Sequence, residues 1–338
     1  MKKLPTQEPS TPQLIDRYRR HLNYLRISIT DRCNLRCLYC KPDGIIPKLS
    51  HQEILTYEEI LRLVRIAVSL GITKVRITGG EPLVRKGVCE FLTHLTRIEG
   101  LADVSLTTNG VLLEKNLEKI KAARVHRLNI SLDTLKPEKY HQITGRDSFE
   151  QVWSAIHRAR ELGFSPIKIN VVALKGYNDD ELIDMARLSI IYPFHVRFIE
   201  YMPIGTAKMR REDLLHTIDI KKRLTDLGRL LPVKRDTHDG PAERFRFADA
   251  AGEVGFISAI SHHFCDSCNR LRLSASGQLR SCLMSDTQQN LRRLLRQECT
   301  DEDLVRVFLT SVRKKPARHH LTDSKKNHVD SQMSSIGG

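Results

Sequence analysis

Residues 25–40 read LRISITDRCNLRCLYC: a short strand-like run, Leu25–Thr30, and then Cys33, Cys37 and Cys40. Three thiolates within eight residues can bind three irons of a [4Fe–4S] cubane, and the fourth iron is left without a protein ligand there. A small molecule carrying an amine and a carboxylate can chelate that open iron. A reduced cluster can then pass one electron into a sulfonium on the same molecule, cleaving a carbon–sulfur bond and leaving an alkyl radical. The competing reading is a zinc site that recruits His21 or His51, or three cysteines in a turn. The position of the trio directly after a strand favours the cluster, as does Tyr39, an aromatic placed to cover an adenine.

Working outward, six β-branched or apolar runs suit strands: Leu25–Thr30, Lys74–Thr78, Asp103–Thr107, Arg127–Ser131, Ile167–Leu174 and His195–Tyr201. Helical patterns fill the gaps. In Tyr57–Leu70, Thr56 and Glu59 make a capping-box pattern, Ile60, Leu63, Val64 and Ala67 recur at helical spacing, and Gly71 stops the helix. Val88–Ile98, Glu114–Ala123, Phe149–Leu162 and Asp180–Ile191 repeat the alternation. Serial strand-helix units predict an α/β fold with a parallel sheet, and six units fall short of an eightfold barrel. Unusual residues collect at the predicted strand ends: the cysteine trio, Gly79-Gly80-Glu81-Pro82, Thr108-Asn109-Gly110, Asp133 and Met202-Pro203. The glycine pair lets backbone approach a ligand, and exposed carbonyls or Glu81 can accept from an ammonium group; the plainer reading is a tight turn.

After about residue 206 the alternation stops. The expected organisation is an N-terminal extension (1–22), an α/β body (23–206), a smaller α+β domain (207–313) and a flexible tail (314–338) that ends in Gly337 and Gly338. Within the smaller domain we expect a helix at Thr217–Leu227, strands near Arg244–Phe247 and Glu253–Ile257, and helices at Asp286–Glu298 and Asp301–Val312. Cys265, Cys268 and Cys282 form a second trio. Its spacing serves a zinc ribbon completed by His262 or His263 as well as it serves an iron–sulfur cluster. Arg270 and Arg272 would alternate to one side of an extended segment and offer two forked donors to phosphate, with Arg26, Arg76 and Lys168 as further candidates facing the same mouth. Cys89 and Cys299 have no partner at ligand spacing.

The formal net charge of +15 favours an anionic partner without choosing between polyphosphate and nucleic acid. Part of it is local: Arg313 to Lys326 reads as a solvated basic run. No stretch reaches the roughly 20 apolar residues of a membrane span, and Met1 to Gln13 has no apolar signal core. A cytoplasmic location is expected, where 8 cysteines are metal ligands or reactive thiols rather than disulfides.

Taken together, Arg26 to Cys40, Arg76 to Pro82, Thr107 to Gly110, Cys265 to Arg272 and the Gly-Gly end resemble the GTP 3′,8-cyclases, the molybdenum-cofactor biosynthesis A family of the radical S-adenosylmethionine (SAM) superfamily. The resemblance covers nearly the whole chain. It implies a partial (βα)6 TIM-like barrel with a smaller C-terminal domain, SAM, and two [4Fe–4S] clusters, at Cys33, Cys37 and Cys40 and at Cys265, Cys268 and Cys282. It implies a SAM side lined by Tyr39, Gly80, Ser131 and Met202. Arg26, Arg76, Thr107, Lys168, Arg270 and Arg272 would hold GTP, with Gly337 and Gly338 inserted as a supporting tail. It further implies an external one-electron donor of flavodoxin or ferredoxin type, a downstream cyclic pyranopterin monophosphate synthase, no membrane, no stable nucleic acid and room for a homodimer. Two other readings compete: a radical SAM enzyme that modifies a peptide or tRNA, and a zinc-dependent nucleic-acid-binding protein.

Overall fold

The computed structural model describes residues 13–40, 48–205, 214–234, 240–319, 329 and 331–336. Six parallel strands run in sequence order: β1 (Tyr24–Ser28), β2 (Lys74–Thr78), β3 (Asp103–Thr108), β4 (Arg127–Ser131), β5 (Ile167–Ala173) and β6 (Phe194–Glu200). Between them lie α1 (Tyr57–Ser69), α2 (Val88–Leu95), α3 (Leu117–Ala122), α4 (Pro137–Thr144), α5 (Phe149–Glu161) and α6 (Leu182–Ile191). This is the expected strand-helix series, wound into part of a barrel. The Thr56–Glu59 capping box starts α1, and Gly71 with φ +96° follows its end. Helix α4 was not anticipated; Pro137 starts it at a position where a missing N–H costs nothing.

The strands alternate in a way that decides the site. Leu25, Ile27, Val75, Ile77, Leu106, Leu128, Ile130, Ile167 and Ile169 join one large core with the helices. Their neighbours, Arg26, Arg76, Thr107, Ser131, Asn170 and Arg197, instead line a cavity. With a side-chain period of two, one face of the sheet therefore packs on helices while the other presents polar groups.

The C-terminal part of the chain extends the same sheet at both edges. On one side α7 (Thr217–Leu224) leads to β7 (Leu231–Pro232), β8 (Glu243–Arg246) and β9 (Glu253–Ile257), and β9 pairs parallel with β6. On the other, β10 (Arg270–Leu273) pairs parallel with β1, followed by β11 (Gln278–Arg280) and β12 (Gln288–Asn290). The helix expected over Asp286–Glu298 is shorter. Residues 288–290 pair with β11, and the Asn290 side chain then caps α8 (Leu291–Leu295). Helix α9 (Asp301–Arg313) packs back on α1, where Arg62 meets Asp301 at 2.7 Å. The basic run after it does not begin as a solvated tail, because Lys315 and His319 are only 4 % and 6 % exposed. A short helix, α10 (Met333–Ile336), buries Ile336 with Ile204 and Val329. No helix among the described residues is long and apolar enough to cross a membrane.

Candidate active site

A single cavity of about 280 Å3 lies on the polar face of the sheet, and Cys33, Cys37, Cys40, Cys265, Cys268 and Cys282 all line it. The first trio follows the C-terminal end of β1. Cys265 and Cys268 instead precede β10, and Cys282 follows β11, the antiparallel neighbour of β10. Because β10 runs parallel to β1, the two trios occupy opposite ends of the concavity. Side chains from the middle of the strands lie between them.

The loop carrying the first trio is held by backbone contacts that only small neighbours permit. Gly80 N donates to Thr30 O at 2.7 Å and Glu81 N to Arg32 O at 2.8 Å. A Cβ on Gly80 would stand 2.4 Å from the Arg32 carbonyl oxygen, so the position requires glycine. Further along, Arg36 N and Leu38 N donate to Thr144 O and Ile143 O of α4. Asn109 Nδ2 reaches Asn34 Oδ1 at 2.8 Å and lies 3.7 Å from Cys33 Sγ. Tyr39 donates its hydroxyl proton to Asp133 Oδ2 at 2.7 Å, and Asp133 Oδ1 accepts from Val172 N. Burial raises Asp133 to about 6 against these two hydrogen bonds. Glu81 does not face the cavity as its motif suggested. It is fully buried and accepts from Asn109 N, Leu83 N and Thr108 Oγ1, with burial lifting it to about 7. Its carboxylate orients the neighbouring strand-end turn instead.

Gly80, Ser131, Tyr39 and Met202 line the cavity together with Asn170 and Tyr201. Arg26, Arg76, Thr107, Arg270 and Arg272 line it as well. Arg26, Arg76 and Arg272 sit within β1, β2 and β10, where Arg26 is the register partner of both Arg76 and Arg272, while Arg270 opens β10. Burial, then Arg76 and Arg270, hold Arg26 down to about 9, against the opposing pull of Tyr24. Lys168 does not touch the main cavity. It faces a small adjoining pocket that shares Arg197 with it, and burial followed by Arg197 lowers it to about 6. Gly337 and Gly338 lie outside the described residues, although Met333 and Ser334 just before them line the cavity.

Other groups at the site escaped the sequence reading. Tyr24 and Arg197 face the cavity, and Lys74 lies 4.9 Å from the centre of the Tyr24 ring. Arg197 donates to Asn129 Oδ1 at 2.5 Å. For Tyr24 and Lys74 the signal was the alternation itself, since each stands two residues before a recognised arginine, Arg26 or Arg76, on the same strand; Arg197, beside Asn170 in the register, had no such neighbour.

The six cysteines are free thiols, and within each trio their charges act on one another. Burial raises Cys37 well above its ordinary value, with contributions from Asp133, Cys40 and Cys33. Burial likewise raises Cys265, with Cys282 and Cys268 adding to it. Cys268 differs: burial opposes its ionisation, yet Arg270 and Lys315 bring it down to about 6. Among the described residues no three His, Cys, Asp or Glu side chains are arranged to hold a single metal ion. Of the histidines considered as zinc ligands, His263 lines the cavity, whereas His21, His51 and His262 do not. Two thiol trios opening onto one cavity, in a partial barrel of parallel strands, fit iron–sulfur clusters in both donor chemistry and access.

Comparison with known proteins agrees with this geometry. Residues 27–189 match the radical SAM superfamily and residues 194–321 match "Molybdenum Cofactor Synthesis C". Among solved structures, Streptococcus suis SuiB bound to precursor peptide SuiA superposes with a TM-score of 0.62 at 16% identity, covering 88% of this chain and 68% of that one. The fold and the first cysteine loop thus define a radical SAM enzyme, a class built around one [4Fe–4S] cluster and SAM. Two curated relatives are GTP 3′,8-cyclases: that of Heliobacterium modesticaldum is 47% identical and that of Syntrophomonas wolfei 44%, each over 96% of this chain and 100% of the relative. The chain belongs to the GTP 3′,8-cyclase family.

Proposed function

We propose that this chain converts GTP to (8S)-3′,8-cyclo-7,8-dihydroguanosine 5′-triphosphate, the first step of molybdenum cofactor biosynthesis. When bound, the first cluster and SAM supply a 5′-deoxyadenosyl radical. The ribose 3′ hydrogen of GTP leaves with that radical, and C3′ bonds to guanine C8. One electron and one proton complete the ring, the electron coming from an external donor of flavodoxin or ferredoxin type. The product is the substrate expected for a downstream cyclic pyranopterin monophosphate synthase.

In this reading Cys33, Cys37 and Cys40 hold the first cluster, and Tyr39, Gly80, Ser131 and Met202 hold SAM. Cys265, Cys268 and Cys282 hold a second [4Fe–4S] cluster that meets the guanine. Arg26, Arg76, Thr107, Lys168, Arg270 and Arg272 bind GTP, and Gly337 and Gly338 close the site. Residues 23–206 generate the radical and 207–313 present the substrate, in a cytoplasmic enzyme. The observation that carries the reading is that one cavity joins both trios to the arginines of β1, β2 and β10. The chain's own contribution is placement: phosphate fixed by forked guanidiniums and the sugar held facing the first trio, with water kept out.

The test is anaerobic turnover of GTP deuterated at C3′, with SAM and a chemical reductant. Deuterium should appear in 5′-deoxyadenosine alongside the cyclised nucleotide. Turnover of SAM by fully loaded protein without that transfer would refute the substrate and return the peptide- or tRNA-modifying reading.

A further inference from the structure

The side chain of Lys315 lies beneath the second cysteine trio, within the run that sequence assigned to solvent. It is 4 % exposed. Its Nζ stands 3.5 Å from Cys268 Sγ, donates to Arg270 O at 3.1 Å, and donates also to Ser281 O beside Cys282. An ammonium has three donors, and these three acceptors use them all. None of the three is a carboxylate.

The segment after Lys315 is fastened to the remaining cysteine. Arg20 donates to Pro316 O at 2.6 Å, to Ala317 O at 3.0 Å and to Cys265 O at 2.7 Å, while its own charge is met by buried Asp16 at 2.6 Å. His319 reaches Ala259 O at 3.1 Å. Lys315 is thus held in place from both sides. A buried ammonium is costly unless paired, and the anionic partner in reach is the Cys268 thiolate together with whatever the trio binds.

We infer that Lys315 is a positioning residue that sets the reduction potential of the second cluster through a charge-assisted hydrogen bond to Cys268. This rests on the proposal that the second trio holds a cluster. A cubane on three thiolates is anionic and becomes more so on reduction, so a fixed positive charge beside one thiolate stabilises the reduced form and raises the potential. Hydrogen bonds to cluster sulfur and local charge are the protein's ordinary means of such tuning. Backbone hydrogen bonding alone would have been met by a neutral donor; the ammonium adds charge.

The experiment uses the full chain with Cys33, Cys37 and Cys40 replaced by alanine, which should load only the second cluster. Iron and sulfide are counted, and the cluster is titrated by electron paramagnetic resonance with Lys315 intact, as K315M and as K315R. K315M should lower the one-electron reduction equilibrium at least tenfold, about 59 mV more negative, and K315R should restore it. A merely structural tie would change thermal stability and leave the potential of the loaded cluster where it was. An unchanged potential in loaded K315M overturns the inference. If K315M fails to load, K315R decides: loading at the original potential supports the charge, and failure of K315R as well overturns it in favour of a steric tie. Should the background load no cluster with Lys315 present, while the chain with Cys265, Cys268 and Cys282 replaced still loads one, the second-cluster reading itself fails.

Discussion

Arg26 on β1 and Arg272 on β10 are register partners in adjacent parallel strands, two guanidiniums side by side on the cavity face of one sheet. Burial lowers Arg272 well below its ordinary value, and Arg26 and Arg270 add to the effect. Like charges gathered in this way are costly without an anion and strongly attractive to one.

Replacing Arg272 with methionine should therefore separate binding from folding. GTP affinity is expected to fall about 10- to 100-fold, the worth of one hydrogen bond to a charged group at about 1.5–3 kcal/mol. The GTP-free protein should stay folded and keep its iron, because Arg26 and Arg270 repel Arg272 in the absence of a phosphate. Calorimetric titration checks the first part, and a thermal melt with an iron count checks the second. Unaltered GTP affinity would remove Arg272 from the substrate site.

Lys168 predicts a proton linkage. In the unfolded chain it titrates near 10, roughly the unperturbed lysine value, whereas burial and Arg197 hold it to about 6 in the fold. Between those pH values the unfolded state carries more protons, so this group's contribution to stability rises as pH rises from about 6 to about 10. A triphosphate beside it would restore the charge. GTP binding at pH 7.5 should take up about one proton, measured by calorimetry in buffers of different ionisation heat, and K168M should abolish the uptake. Persistence of the uptake in K168M assigns it elsewhere.

Gly80 supports a test of the first loop. An alanine there drives its Cβ toward the Arg32 carbonyl, and overpacking of this kind costs about 1–3 kcal/mol. G80A should lose at least about tenfold in 5′-deoxyadenosine formation, in keeping with that cost, while iron at the second trio and GTP affinity stay unchanged. Equal loss at both trios would mean a general folding defect.

The tail is tested by G337A together with G338A. Met333 and Ser334 bring the preceding helix to the cavity wall, so added methyl groups beyond it should crowd the substrate rather than the clusters. Both clusters should load, SAM should still be cleaved, and cyclised product per 5′-deoxyadenosine should fall. An unchanged ratio would exclude the tail from the reaction.

The repeating strand-helix body could be read from sequence because its apolar positions obey local periods; Lys74–Thr78 and Arg127–Ser131 are the observed strands as predicted. The short strands β11 and β12 could not. Gln278–Arg280 and Gln288–Asn290 carry no apolar alternation, and the pairing of β11 with β10 and of β12 with β11 makes them strands. The cysteine trios announced themselves by spacing, and Arg270 and Arg272 by alternation. Lys315 gave no such signal: a lysine among basic residues looks solvated until Arg20, distant in sequence, folds against the same segment. Glu81 misled for the converse reason, since a motif reports a residue's presence and not the direction of its side chain.

The trios stand at opposite ends of the adjacent parallel strands β1 and β10, and the five residues of β1 at about 3.3 Å each span roughly 17 Å. Strand length is therefore a ruler cut to the substrate. In the proposed reading, the gap across which guanine, sugar and SAM are laid end to end is written in hydrogen-bonded backbone, which does not stretch. Loops at either rim can change in length and leave that measure intact, whereas two residues added to β1 would keep the pleat in phase and move one end about 7 Å from the other.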